Sequence, residues 1–138
     1  MHLVDSSALI ALLTDEATAG WVEDALNAHR RLGGVFINQI VYAELCALFD
    51  SEAEASAALR EIVERVELNW MSAFPAGKAY RVYKRRGGRK ARMLPDFLIA
   101  SHANSLGWAL ITNDPGDVRS YFPKLKLICP SGEFRPGS

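Results

Sequence analysis

A chain of 138 residues is the size of one domain and is long enough to bury a core. With 49% apolar and 23% charged residues it reads as globular, and sixteen basic against sixteen acidic side chains leave no net charge from which to infer a partner. The sequence has no long apolar run and no charged-then-apolar leader, which argues against a membrane span or signal peptide and for the cytoplasm.

Leu3-Val4 reads as a short buried strand, and Ser6-Ser7 as the N-cap of an apolar helix from Ala8 to Leu13. Asp5 then stands where a strand ends and a helix begins, the edge at which open α/β sheets bind ligands. It is the only Asp, Glu, Lys or Arg among residues 1–14, and it acts either as a helix cap or as a site residue. Thr18 can cap a second helix to about Arg31, which Gly33-Gly34 ends, and Val35–Ile37 has the composition of a buried parallel strand. Asn38 caps a helix over Gln39–Phe49 that is apolar all round except at Gln39 and Glu44, the mark of a buried helix. Glu44 falls between Ile40 and Leu48, in an exposed notch or in a site, with no basic residue near it in sequence.

Ser51 and Glu54 have capping-box spacing, and Leu59, Ile62, Val63 and Val66 extend the predicted amphipathic helix to Val66. A third strand is expected over Val66–Trp70. Ser72 is expected to cap a helix through about Arg86, stopped by Gly87-Gly88. Residues 84–92 hold six basic side chains, Lys84, Arg85, Arg86, Arg89, Lys90 and Arg92. A helix C-terminus favours the first three. The others lie past the glycines, in a loop suited to contacts with a nucleic-acid backbone.

Pro95 fits the first position of the next helix and Gly107 the residue past its end, which puts Asp96 in the first turn. His102 on this apolar helix is expected to be a core histidine rather than a ligand. Trp108–Thr112 is a buried strand, and Asp114 after it repeats the position of Asp5. Asp117 is expected to be more exposed and to cap Val118–Tyr121. Leu125–Ile128 gives a last, edge strand. Residues 131–138, rich in Gly, Pro and Ser, read as a loose tail to a domain of residues 1–130. Cys46 and Cys129 are expected as buried thiols, without zinc spacing.

Asp5, Glu44, Asp96 and Asp114 are each isolated in segments that otherwise belong to the core. A parallel sheet would bring the two strand-end aspartates to one edge. Carboxylates about 5 Å apart repel by roughly 3 kcal/mol per pair at an effective dielectric of about 20. Convergence would therefore call for a cation, and an all-oxygen donor set suits Mg²⁺ or Mn²⁺ and phosphoryl transfer. A response-regulator receiver would need adjacent acids where Val4 and Ser6 flank Asp5. A haloacid-dehalogenase-type phosphatase would need an Asp where Ser7 stands. A non-catalytic RNA-binding module would account for residues 84–92 but not for the acids.

In this order, Val4-Asp5-Ser6-Ser7, Ala43-Glu44-Leu45, Leu94-Pro95-Asp96-Phe97-Leu98-Ile99-Ala100 and Thr112-Asn113-Asp114 resemble the PIN-domain ribonucleases, and more narrowly the VapC-type toxins of toxin–antitoxin pairs. The likeness spans nearly the whole chain, including the basic stretch before Leu94 and Tyr121-Phe122-Pro123. It implies a single α/β domain with a central parallel sheet of four to five short strands flanked by helices. It also implies an endoribonuclease dependent on Mg²⁺ (or Mn²⁺), a homodimer, and a cognate antitoxin protein. Asp5 and Asp96 would be metal ligands, with Glu44 and Asp114 completing the acidic quartet. The antitoxin would offer Arg or Lys to the acids and an apolar anchor to a groove between Gln39–Phe49 and Glu52–Val66. A housekeeping nuclease of the same family is the alternative.

Overall fold

The computed structural model describes residues 1–130 and 132–134. It opens with β1 (His2–Val4), α1 (Ser6–Leu13), α2 (Ala19–Arg30) and β2 (Val35–Ile37), the order the apolar runs predict. Then come α3 (Gln39–Cys46), α4 (Glu52–Arg60), β3 (Glu64–Arg65), a 3₁₀ turn (Trp70–Ser72) and α5 (Ala73–Arg85). α6 (Met93–Leu106), β4 (Ala109–Ile111), α7 (Val118–Tyr121), β5 (Leu127–Cys129) and β6 (Gly132–Phe134) follow.

All six strands form one sheet in the order β3-β2-β1-β4-β5-β6. The first five are parallel, and β6 runs antiparallel to β5. β1 is central, with Leu3 opposite Phe36 on one side and Leu110 on the other. Every residue of β1 and of β5 is buried, as a sheet covered on both faces requires. The chain winds from β1 through β2 to β3, then crosses back to place β4 and β5 on the far side of β1. The strand order therefore reverses between β1 and β4. In open α/β sheets the crevice at the carboxyl ends of those strands is where ligands sit.

An aromatic cluster ties α5, α6 and α7 together. Phe97 is fully buried, 4.9 Å from the ring of Tyr121, 5.9 Å from Tyr83 and 6.0 Å from Phe122. Because Phe97 adjoins Asp96, this packing also fixes the first turn of α6. Gly107 ends α6 in the left-handed conformation (φ 69°) that its place in the sequence predicts. His102 is fully buried, as expected of a core histidine: its Nδ1 lies 3.0 Å from Asn38 Nδ2, and burial holds its pKa below the usual value.

Several elements differ from the sequence reading. α4 stops at Arg60 instead of continuing to Val66. Ile62 and Val63 turn back on Leu59 O, and Glu64–Arg65 then pairs with β2 as the third strand. The spacing of Leu59, Ile62, Val63 and Val66 imitates a helix face, but three of them are β-branched and the open edge of β2 claims the segment. The strand expected over Val66–Trp70 is thus displaced, and Trp70 is 93% exposed. Asn69, not Ser72, makes the side-chain cap before α5, accepting from Ser72 N at 3.0 Å. α3 ends at Cys46, short of Phe49. Pro95 is the third residue of α6, still within the first turn, whose amides need no helical partner. β5 is not the sheet edge, because Gly132–Phe134, expected in a loose tail, pairs with it; residue 131 and residues 135–138 lie outside the described residues. Neither cysteine forms a disulfide. Among the described residues no helix is long and apolar enough to cross a membrane.

Candidate active site

Asp5 follows β1 and occupies the N-cap position of α1, but its side chain makes no capping bond. Its Oδ2 accepts hydrogen bonds from Ser7 Oγ at 2.9 Å and from Thr112 Oγ1 at 2.8 Å. Those hydroxyls accept in turn: Ser7 Oγ from Asn113 N and Thr112 Oγ1 from Asp114 N, both at 3.1 Å. The turn after β4 is thereby stitched to the start of α1, alongside Asp5 N donating to Ile111 O at 2.8 Å. Sequence reasoning missed Ser7 and Thr112, reading one as a cap and the other as strand. The available signal was their hydroxyls, adjoining the two strand-end acids.

Glu44 comes from α3, where Ser6 Oγ donates to its Oε1 at 2.9 Å, so Ser6 too is a site residue rather than a cap. Asp96 comes from the first turn of α6. Asp5, Asp96 and Asp114 line one cavity of about 590 Å³ at the β1/β4 crevice, together with Ser6, Ser7, Glu16 and Asp117. Glu44 stands beside this cavity rather than in its wall, yet its charge acts on both Asp5 and Asp96.

Burial raises the Asp5 carboxyl pKa; the Thr112 and Ser7 hydrogen bonds oppose that rise and the Glu44 charge adds to it. Asp96 is pushed up to about 7, first by burial and then by the negative charges of Asp5 and Glu44. Arg92 counteracts the shift and Asp114 reinforces it. The four acids therefore share one electrostatic field. Among the described residues no three acidic, histidine or cysteine side chains are gathered tightly enough to enclose an ion as they stand. The donor chemistry nonetheless fits a hard divalent cation, being all oxygen and carrying more negative charge than the site holds comfortably.

The basic stretch divides into distinct roles. Lys84 lies over the Tyr80 ring at 5.8 Å and Arg86 over Tyr121 at 5.4 Å. Lys90 pairs with Asp117 at 3.5 Å and Arg92 with Glu44 at 3.9 Å, and both lysine and arginine line the acidic cavity. Asp117 thus makes an ion pair, not the expected cap of α7. Arg85 and Arg89 are exposed. Tyr83 Oη accepts from Lys90 N at 2.9 Å, and Gly88 packs so closely on that ring that a Cβ there would lie 2.3 Å from it. Gly88 is therefore a packing requirement of the basic loop, whereas Gly87 has open space beside it and serves by its left-handed conformation (φ 86°).

A parallel sheet of this order with carboxylates at its β1/β4 crevice defines a class of domain. The family model described as the PIN domain matches residues 2–120, and the chain belongs to the PIN-domain family. No curated protein matches it. Among solved structures, a chain of VapBC2 from Rickettsia felis bound to a promoter DNA fragment aligns with a TM-score of 0.70 at 19% identity, over 93% of this chain and 97% of that one. DNA-bound VapBC from Salmonella typhimurium gives 0.67 at 18% identity, over 93% and 96%. A toxin–antitoxin complex from Klebsiella pneumoniae gives 0.59 at 18% identity, over 91% and 95%. At these identities the likeness is one of fold.

Proposed function

We propose that this PIN domain is a metal-dependent endoribonuclease and the toxin of a toxin–antitoxin pair. The observation that carries the reading is the crowding of acids at the β1/β4 crevice, where Asp96 retains a proton to about pH 7. Carboxylates in that condition are relieved by a hard divalent ion, Mg²⁺ or Mn²⁺. Asp5 and Asp96 would hold it, with Glu44 and Asp114 completing the oxygen set. When bound, such an ion lowers the pKa of a water and stabilises charge on phosphate oxygens. Ser7 and Thr112 orient Asp5, and Ser6 orients Glu44. Arg85 and Arg89 take backbone phosphates directly, while Lys84, Arg86, Lys90 and Arg92 exchange their present partners to do so. RNA as the substrate rests on the family resemblance.

The partner protein rests on the complexes in which the similar folds occur. A basic side chain of the antitoxin enters the acidic cavity, and an apolar anchor seats between α3 and α4, where Leu48 is 42% exposed. A second copy of the chain covers Trp70, Met71 and Phe74, which are 93%, 71% and 75% exposed in the 3₁₀ turn and the first turn of α5. Three such side chains present on the order of 400 Å² of apolar surface, half of what each partner gives to a standard interface.

The test is cleavage of RNA by the purified protein with and without Mg²⁺. Asp5→Asn and Asp96→Asn are expected to abolish cleavage while leaving the fold intact; wild-type cleavage by Asp96→Asn would overturn the site. For the toxin role, the chain expressed alone is expected to arrest growth, and the small protein encoded beside it to relieve the arrest. Equal growth in both cases, with folded protein present, would leave a housekeeping nuclease.

A further inference from the structure

We propose that Arg92 is an internal counter-ion of the metal site, paired with Glu44 until a metal takes that carboxylate and an RNA phosphate takes the guanidinium. The inference rests on the metal-dependent reading above. Arg92 Nη2 lies 3.9 Å from Glu44 Oε2, and Arg92 lines the same cavity as Asp5, Asp96 and Asp114.

The pair is built to exchange. It is long, and the Arg92 side chain is 72% exposed, so solvent screens it and either partner leaves at little cost. The backbone beneath it is anchored, because Lys90 N donates to Tyr83 Oη at 2.9 Å and Tyr83 belongs to the core. Only the arginine side chain has to swing. Glu44 keeps its place when Arg92 leaves, since Ser6 holds its other oxygen at 2.9 Å. A guanidinium matches a phosphate with two parallel donors, which makes the RNA backbone a fitting second partner. Lys90 is not a counter-ion of the metal site, as its partner Asp117 lies outside the quartet.

Without RNA, the Arg92 charge opposes a divalent ion. Removing it is expected to tighten Mn²⁺ binding about three- to tenfold, the scale of charge repulsion across a few ångströms of well-screened solvent. Mn²⁺ binding to the RNA-free protein can be read from the spin-resonance signal of the free ion. Binding of a fluorescent single-stranded RNA is measured separately in EDTA, where no cleavage occurs. Arg92→Gln is expected to bind Mn²⁺ more tightly and RNA more weakly. Arg92→Lys, which keeps the charge, should hold Mn²⁺ as the parent does, and Lys78→Gln on the exposed side of α5 should change neither. A merely structural role would move both affinities in the same direction. Mn²⁺ affinity unchanged or weakened in Arg92→Gln overturns the counter-ion, and unchanged RNA affinity overturns the exchange. If the parent binds no Mn²⁺, or Asp96→Asn binds it equally well, the metal reading itself falls and takes this inference with it.

Discussion

Asp96→Asn should make the metal-free protein more stable, and by an amount that depends on pH. In the folded chain Asp96 titrates at about 7, against an ordinary value of 3.8. A difference of about three units, at about 1.36 kcal/mol per unit, sets a ceiling of roughly 4 kcal/mol. Asp96 is partly exposed, so screening reduces this to about 1–2 kcal/mol. Because the folded value is the raised one, the native state keeps a proton that the unfolded chain releases. The contribution of this proton to stability is then complete below about pH 4, declines as pH rises, and is lost above about pH 7. Asparagine does not ionise and escapes the decline. Thermal unfolding in EDTA, followed by circular dichroism, is expected to show nearly equal Tm for parent and variant at pH 4.5. At pH 8 the variant should lead by about 3–8 °C. Mg²⁺ added at pH 8 should raise the Tm of the parent and leave the variant unmoved. A Tm difference that is the same at all pH values, or a variant less stable at pH 8, would refute the reasoning.

Thr112→Val removes the donor to Asp5 and the acceptor of Asp114 N; it is expected to cost about 1–3 kcal/mol of stability and about tenfold or more in Mn²⁺ affinity, read by denaturant unfolding and by Mn²⁺ titration. Arg85→Ala and Arg89→Ala should each flatten the salt dependence of single-strand RNA binding by a slope of about 0.7, and an unchanged slope would assign these side chains to solvation. Trp70→Ser with Phe74→Ser is expected to convert a dimer to a monomer in light scattering; a dimer that persists would move the interface elsewhere.

The parallel sheet was legible because its strands are buried on both faces and read as short apolar runs between capped helices. Asp5 and Asp114 were legible for the same reason: each ends such a run, and in a parallel sheet all such ends point one way. Glu44 and Asp96 stood out as charges alone in apolar helices. The segment after α4 was not legible, since a helix end followed by a β-branched strand carries the same apolar spacing as a longer helix. Ser7 and Thr112 escaped notice because their task depends on β1 and β4 lying side by side, and Ser6 because its partner Glu44 stands on α3; no local pattern records either neighbourhood. The partners of Lys90 and Arg92 were equally hidden, as ion pairs across the cavity join residues far apart in sequence.

Asp5 and the hydroxyl that orients it, Thr112, are separated by 107 residues. β1 precedes the other described strands in the chain, yet one of its two neighbours, β4, follows every other element through α6. Pairings that span so much chain form late and slowly. A growing copy therefore carries Asp5 and Glu44 for much of its synthesis, and Asp96 for the last stretch before β4, without the strand that orders them. A chain lacking β4 has only one side of the crevice, and the bond from Thr112 to Asp5 forms only when β4 slots in beside β1.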